Sequence, residues 1–129
     1  MMLLRKYMSL LGIGSAKIDL CLEKTSFQPG ESVKGLFVIQ GGTIEQQLKR
    51  IECDLVSTDS SEEEKVIETT TIYTSKTIRS DEKHDQLSFS FVLPEELDKS
   101  SKELEYRFKT RMIFNEGVKS EDQDFITIV

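Results

Sequence analysis

Residues 27–42, Phe-Gln-Pro-Gly-Glu-Ser-Val-Lys-Gly-Leu-Phe-Val-Ile-Gln-Gly-Gly, restrict the fold of this chain more than any other stretch. Pro29 and Gly30 suit the two central positions of a type II turn, because proline presets the first φ and glycine accepts the positive φ that follows. The next residues alternate with period 2, so one face of a strand carries Val33, Gly35, Phe37 and Ile39. Gly41 and Gly42 end the strand. The stretch therefore predicts a turn, a half-buried β-strand and a second turn.

Six further segments are predicted as strands, mostly from the same alternation: 16–23, 48–58, 65–78, 86–93, 104–114 and 124–129. Strands separated by turns every 8–15 residues are typical of an antiparallel sandwich. We therefore predict an all-β, immunoglobulin-like sandwich of about seven strands.

The segment 65–78 differs from the other predicted strands. Its alternation slips between Val66 and Ile67 and again between Ile72 and Tyr73, which predicts a bulge or bend. Both of its faces carry polar residues, so it is a candidate edge strand that could add a partner's strand. The alternative is a long hairpin that simply twists free of the core.

Residues 1–12 are predicted to form a short helix that precedes the sandwich at 13–129. Its apolar stripe is a candidate partner-binding surface, formed by Leu4, Tyr7, Met8 and Leu11. The stripe could cap an open end of the sandwich or dock on a second copy of the chain. Alternatively, the helix could anchor the protein on a membrane surface with Arg5 and Lys6. A signal peptide is disfavoured because the apolar part is short.

The overall charge argues against nucleic acid as a partner. The net charge is −6 and the pI is about 4.9, so phosphate backbones are repelled. No apolar stretch reaches the roughly 18 residues of a membrane-spanning helix. Membrane contact therefore remains only as the alternative based on the helix, and a protein partner or self-association is favoured.

The sequence offers little for catalysis. The single histidine, His84, lies in a charged loop with no recognisable nucleophile and base spacing. Cys21 alternates with polar residues and Cys53 with apolar ones, so the two face different environments and free thiols are favoured over a disulfide. The acidic clusters 62–64 and 121–124 are read as solvated loops, with weak calcium binding as the alternative. We predict no catalytic residues, no metal site and no cofactor.

Several segments together resemble the bacterial sporulation-control protein M family. They occur in order over most of the chain: Gly12-Ile13-Gly14-Ser15-Ala16-Lys17-Ile18-Asp19, Leu22-Glu23-Lys24, Pro29-Gly30-Glu31-Ser32-Val33-Lys34-Gly35, Ile39-Gln40-Gly41-Gly42, Glu45-Gln46, Phe89-Ser90-Phe91-Val92-Leu93-Pro94 and Asp122-Gln123-Asp124-Phe125-Ile126. The resemblance implies an arrestin-like sandwich that acts as a non-enzymatic regulatory scaffold or adaptor in the bacterial cytoplasm.

One departure from the family pattern bears on the partners. The resemblance implies two sandwich domains, whereas this chain matches only the first. An uncovered face left by the missing second domain would favour self-association. Within the one domain, the residues expected to set the backbone shape are Pro29, Gly30, Gly35, Gly41 and Gly42.

Overall fold

The computed structural model describes residues 16–79, 85–117 and 119–129. Within these ranges the chain forms nine β-strands and no helix. The strands are β1 (Lys17–Leu22), β2 (Ser26–Phe27), β3 (Ser32–Gln40), β4 (Gln46–Thr58), β5 (Glu64–Tyr73), β6 (Thr77–Ile78), β7 (Asp85–Val92), β8 (Glu105–Phe114) and β9 (Lys119–Ile128). The predicted N-terminal helix lies outside the described residues.

The strands form two sheets of unequal width. The narrow sheet has three antiparallel strands in the order β1-β3-β7. The wide sheet has the order β2-β9-β8-β4-β5, with the short β6 also pairing with β4. All its pairs are antiparallel except β2 with β9. Because β5 stands at the end of this order, it is an edge strand.

The all-β prediction is confirmed, but the strand number differs from the expected one. The seven longer strands are those that the sequence predicts, and the two additional strands, β2 and β6, are only two residues long. Two residues are too few for alternation to reveal them. The last strand begins at Lys119 rather than at the expected residue 124, because β8 pairs with it from Lys119 to Ile126.

Four phenylalanines join the two sheets. Phe37 and Phe89 of the narrow sheet meet edge to face with their ring centroids 5.2 Å apart. Phe89 and Phe91 each meet Phe108 of the wide sheet with the centroids 5.5 Å apart. Edge-to-face geometry is the favoured arrangement for such rings. These contacts, together with the surrounding buried aliphatic residues, make one core between the sheets.

The predicted turn residues have two distinct physical roles. Gly30 has φ of +80°, and Glu31 N–H donates to the Gln28 carbonyl at 3.1 Å, as a type II turn requires. Gly35 lies within β3, where an added Cβ would stand 2.4 Å from the Cys21 carbonyl oxygen. Glycine at this position therefore allows β1 and β3 to approach closely.

A β-bulge divides β5. Val56 of β4 pairs with Val66, whereas its neighbour Leu55 pairs with Glu68, which leaves Ile67 as the extra residue. The predicted slip between Val66 and Ile67 is therefore confirmed. At the other predicted slip the strand ends at Tyr73, and the chain resumes pairing with β4 only at Thr77.

Candidate functional site

The outer edge of β5 carries backbone groups that pair with no other described strand. Thr74 N–H donates to the Lys49 carbonyl at 3.4 Å, so residue 74 directs its amide toward β4. Peptide groups alternate in direction along an antiparallel strand, and the register is regular from residue 68 to 73. Thr69, Thr71 and Tyr73 therefore direct their N–H and C=O groups away from β4. This edge can accept another strand.

Side-chain contacts hold β5 against the rest of the sheet. The Thr69 hydroxyl donates to Asp54 Oδ1 at 2.7 Å. At the start of the strand, Glu64 contacts Lys109 Nζ at 3.1 Å and Arg107 Nη2 at 3.3 Å, across the intervening strand β4. The hydrogen bond from Lys109 and the further one from Arg107 lower the pKa of Glu64. These contacts connect β5 to its neighbour β4 and to β8 beyond it.

A groove of about 480 Å³ lies beside the first half of β5. Its apolar lining consists of Val66, Ile67, Pro94, Leu97, Leu104 and the ring of Tyr106. Its charged lining consists of Asp59, Glu63, Glu96 and Asp98, with Lys65 as the one cation. Ile67, Leu97 and Leu104 are only partly buried, although they pack against the core. The groove is an apolar strip with an acidic border.

The far wall of the groove is held by hydrogen bonds. Tyr106 is 3% exposed, and its hydroxyl donates to the Asp98 carbonyl at 2.8 Å. Burial raises the pKa of Tyr106, so this hydroxyl stays protonated as a donor. Ser101 and Leu104 exchange backbone hydrogen bonds of 3.1 and 3.3 Å. The wall is therefore preformed, as small binding sites generally are.

On the opposite side of the sandwich, β1 and β9 close the space between the sheets. Asp122 Oδ2 accepts a hydrogen bond of 3.0 Å from the Leu20 N–H group of β1. Leu20 pairs with Phe37 on its other side, so this N–H belongs to the free edge of β1. The Asp122 carboxylate thus accepts from the edge N–H group that an added strand would need as a hydrogen-bond donor. We call the residues Asp19, Asp122 and Asp124 at this junction the carboxylate seam.

Asp124 has an unusual environment in the carboxylate seam. Its Oδ2 atom is buried and has no hydrogen-bond partner among the described residues. Burial, a hydrogen bond with Asp122 and the charges of Asp122 and Asp19 raise its pKa to about 7. Protonation of Asp124 would relieve its repulsion with Asp122 and Asp19. The expectation of a solvated loop at 121–124 is wrong, because these residues lie on β9.

The carboxylate seam also has the composition of a weak cation site. One oxygen from each of its three carboxylates lies within 4.8 Å of the others. Calcium takes six to eight oxygens, and Asp122 already accepts the Leu20 amide. The described geometry therefore supplies an incomplete ligand set for calcium, and proton sharing is the chemistry it supports directly.

The two cysteines face different environments, as the sequence predicts. Cys21 is exposed and Cys53 is buried, and both are free. Burial raises the pKa of Cys53 to about 12, so its thiol is unreactive. The pKa of Cys21 is also raised, first by desolvation and then by its hydrogen bond to Asp19. Neither thiol has the lowered pKa of a nucleophile.

The residues proposed from the sequence do not converge on one site. The apolar stripe Leu4, Tyr7, Met8 and Leu11 lies outside the described residues, as does His84. The turn at Pro29 and Gly30 contacts the end of β7, because Gly30 N–H donates to the Pro94 carbonyl at 3.2 Å. Gly35 lies within β3, and Gly41 and Gly42 follow its end. The groove was missed, because its residues are distant in sequence and carry no motif.

Among the described residues, no helix has the length and apolar character needed to cross a membrane.

Comparison with known proteins identifies relatives over nearly the whole chain. The family model described as SpoOM protein matches residues 4–129. The sporulation-control protein spo0M of Bacillus subtilis (strain 168) is 31% identical over 131 residues, which cover 96% of this chain and 50% of that protein. The chain thus spans about half the length of this relative.

Solved structures agree with this relationship. The crystal structure of Spo0M from Bacillus subtilis superposes with a TM-score of 0.80 at 28% identity, covering 90% of this chain and 50% of that one. A solution structure of a putative late embryogenesis abundant protein superposes with a TM-score of 0.50 at 10% identity, covering 96% and 78%. The second likeness concerns the fold alone.

Proposed function

This chain belongs to the SpoOM family, and on that premise we propose that it is a regulatory, non-enzymatic adaptor domain that binds a protein partner. The regulatory part rests on similarity to a sporulation-control protein. The sequence supports the non-enzymatic part, since its single histidine has no recognisable nucleophile at a suitable spacing. We also propose that the sandwich is arrestin-like and that the protein acts in the bacterial cytoplasm.

One observation carries the adaptor role: a preformed edge strand with unpaired backbone groups. Proteins that must avoid association usually cover or charge such edges. Here Thr69, Thr71 and Tyr73 direct their backbone groups outward, and Tyr73 is 80% exposed. The strand is held firmly by Asp54, Arg107 and Lys109. A rigid open edge is well suited to capture a flexible segment of another protein.

The N-terminal stripe supplies a second proposed contact. The sequence pattern of Leu4, Tyr7, Met8 and Leu11 fits an amphipathic helix that could extend the partner interface or mediate dimer formation. Changing Leu4 and Met8 to Asp places two charges in the stripe. We expect weaker association with an unchanged β-sheet signal in circular dichroism.

Affinity capture tests the adaptor role directly. The tagged full chain is mixed with a cell extract of the organism that encodes it, and retained proteins are quantified with and without an excess of untagged chain. We expect at least one protein whose recovery the untagged chain competes away. The same assay without residues 1–11 shows whether the N-terminal segment contributes.

One combination of results from affinity capture and vesicle binding would contradict the adaptor role. Retention of no competed protein, together with salt-sensitive binding to anionic vesicles, would refute the adaptor role in favour of membrane-surface attachment.

A further inference from the structure

We propose that the β5 edge and the adjacent groove bind an extended segment of another protein in which apolar residues alternate with lysine or arginine. The proposal rests on the adaptor function and specifies the chemistry of the partner. Three observations carry it: the direction of the backbone groups, the apolar strip and the acidic border. Each determines one property of the bound segment.

The backbone groups determine that the segment is a β-strand. Thr69, Thr71 and Tyr73 offer three N–H and three C=O groups on the free edge. A strand that adds here extends the wide sheet by one member. Main-chain hydrogen bonds of this kind give affinity without specifying side chains.

The groove determines that alternate side chains are apolar. Ile67, Leu97 and Leu104 form a partly buried strip on the inner side of β5. Successive side chains of a strand point to opposite faces, so every second residue of an added strand would point toward the strip. Burying apolar side chains there removes apolar surface from water on both partners. The fixed wall at Tyr106 reduces the entropy lost on binding.

The border determines the sign of the remaining charges. Four carboxylates line the groove, Asp59, Glu63, Glu96 and Asp98, against the single cation Lys65. The whole chain carries a net charge of −6, which adds a long-range attraction for cations. An acidic or neutral segment would lose this attraction. The residues between the apolar ones point to the opposite face, from which only long, flexible cationic side chains can bend back to the acidic border. Lysine or arginine therefore fits best at these positions.

A pair of peptides tests the proposal. The first is a capped nine-residue peptide that alternates valine with lysine, and the second has glutamate in place of each lysine. Binding to the full chain is measured by calorimetry at low and high salt. We expect the lysine peptide to bind at least about tenfold more tightly than the glutamate peptide, with a difference that shrinks as salt rises.

Amide shifts locate the bound peptide. In a ¹⁵N-labelled chain we expect the lysine peptide to shift the amide signals of Thr69, Thr71 and Tyr73 most strongly. Shifts confined to the outer sheet faces or to β1 would place the peptide elsewhere and overturn the proposal.

A proline substitution tests the role of the edge amide. Thr71→Pro removes an outward N–H group and leaves the hydrogen bonds of residues 70 and 72 with β4 in place. Thr71→Val keeps the N–H group and the β-propensity, so it is the matched control. We expect Thr71→Pro to weaken peptide binding by about three- to tenfold, as for loss of one hydrogen bond, and Thr71→Val to leave it unchanged.

A charge reversal tests the border. Glu96→Lys places a cation in the groove, and Glu121→Lys makes the same net change on the exposed part of β9. We expect Glu96→Lys to weaken binding of the lysine peptide by about two- to fivefold and to strengthen binding of the glutamate peptide. Equal effects of the two variants would attribute the attraction to net charge and remove the groove from the proposal.

The adaptor function and this inference can fail separately. Unaltered capture of a cellular partner by Thr71→Pro would keep the adaptor function and overturn the β5 edge as its site. Specific binding of the lysine peptide without any captured cellular protein would support the edge chemistry and count against the adaptor function.

Discussion

The two lateral sides of the sandwich treat the free backbone of an edge strand in different ways. On one side β1 lies against β9, and Asp122 accepts the outward amide of Leu20. On the other side, no described strand or side chain pairs with the outward groups of Thr69, Thr71 and Tyr73. Within the described part of the chain, a carboxylate thus blocks the β1 edge, and no comparable group blocks the β5 edge.

The physical cost of the closed side is electrostatic. Sealing β1 with carboxylates brings Asp19, Asp122 and Asp124 together and buries an oxygen of Asp124. Like charges at short range oppose ionisation, and burial opposes it further. The open side has no comparable crowding, because the acidic groups of the groove border are spread around an apolar strip. The closed side should therefore lose stability as the pH rises toward neutral, whereas the open side, where Lys109 and Arg107 lower the pKa of Glu64, should lose stability only as the pH falls into the acid range.

Gly35→Ala should cause the largest loss of stability, and it should act on the closed side of the sandwich. The new Cβ would meet the Cys21 carbonyl oxygen at 2.4 Å, and backbone cannot move aside as a flexible side chain can. We expect a loss of about 3 kcal/mol in the free energy of unfolding, at the upper end for overpacking. Urea denaturation measures it.

Gly117→Ala is the matched control for that substitution. Gly117 has φ of +80° but nothing within 4 Å of an added Cβ, so only backbone strain applies. We expect a loss of about 1 kcal/mol. Equal losses at positions 35 and 117 would show that β1 can shift away from β3 at little cost.

Asp124→Asn should remove a pH dependence. Folding raises the pKa of Asp124 from 3.8 to about 7, so the folded state takes up a proton. The resulting stability is fully present below about pH 4 and is lost as the pH rises through 7. The full shift corresponds to about 4 kcal/mol, which partial exposure and solvent screening reduce to about 1–2 kcal/mol.

The asparagine variant should therefore be about 1–2 kcal/mol more stable than the wild type at pH 8, nearly equal to it at about pH 4, and intermediate between these pH values. Urea denaturation at both pH values measures the difference. Glu121→Gln, at an exposed position on the same strand, is the control and should keep the wild-type slope. Identical pH profiles for the wild type and Asp124→Asn would show that Asp124 titrates normally.

The sequence predicts some of these structural features and leaves others unpredicted. The alternation of Val33, Phe37 and Ile39 predicts β3 and its buried face, and the slip at Ile67 predicts the bulge. The inward direction of Asp122 and Asp124 could not be predicted, because the two-residue alternation of a strand is recognised from its apolar side chains. The first half of β9 has none on its inner face, and its pairing with β8 determines its direction.

The candidate site was harder still to predict. β5 was a candidate edge from its polar faces, and the sheet order confirms that position. The groove combines Ile67 with Leu97 and Leu104, which come from separate parts of the chain. Only the tertiary fold brings them together, and no local pattern records that contact.

Asp122→Ala should reopen the edge of β1. The Leu20 amide would lose its acceptor, which we expect to cost about 1 kcal/mol. Native-state hydrogen exchange at Leu20 should become roughly fivefold faster at a pH where Asp124 is protonated. Asp19→Ala is the control, since Asp19 accepts from the Cys21 thiol rather than from this amide. Unchanged protection at Leu20 would mean that another group covers the edge.

Tyr106→Phe should have the smallest effect and should act on the open side. The change removes the hydrogen bond of 2.8 Å to the Asp98 carbonyl and keeps the buried ring. We expect a loss of about 0.5–1 kcal/mol in thermal denaturation. Amide exchange in residues 95–98 should increase while that of the carboxylate seam stays constant. A global increase in exchange would show that the groove wall is not an independent unit.

The bulge at Ile67 divides β5 into two stretches whose inward and outward positions are out of phase with each other. Before the bulge, Val66 pairs with Val56. After it, Leu55 pairs with Glu68 rather than with Ile67, so the pairing of β5 with β4 is shifted by one residue. A straight, unbulged segment laid along the edge can keep its inside and outside residues in phase with only one of the two stretches. A regular alternating peptide should therefore be in phase with the stretch from Glu68 to Tyr73, and only its end that passes Ile67 should reach the groove.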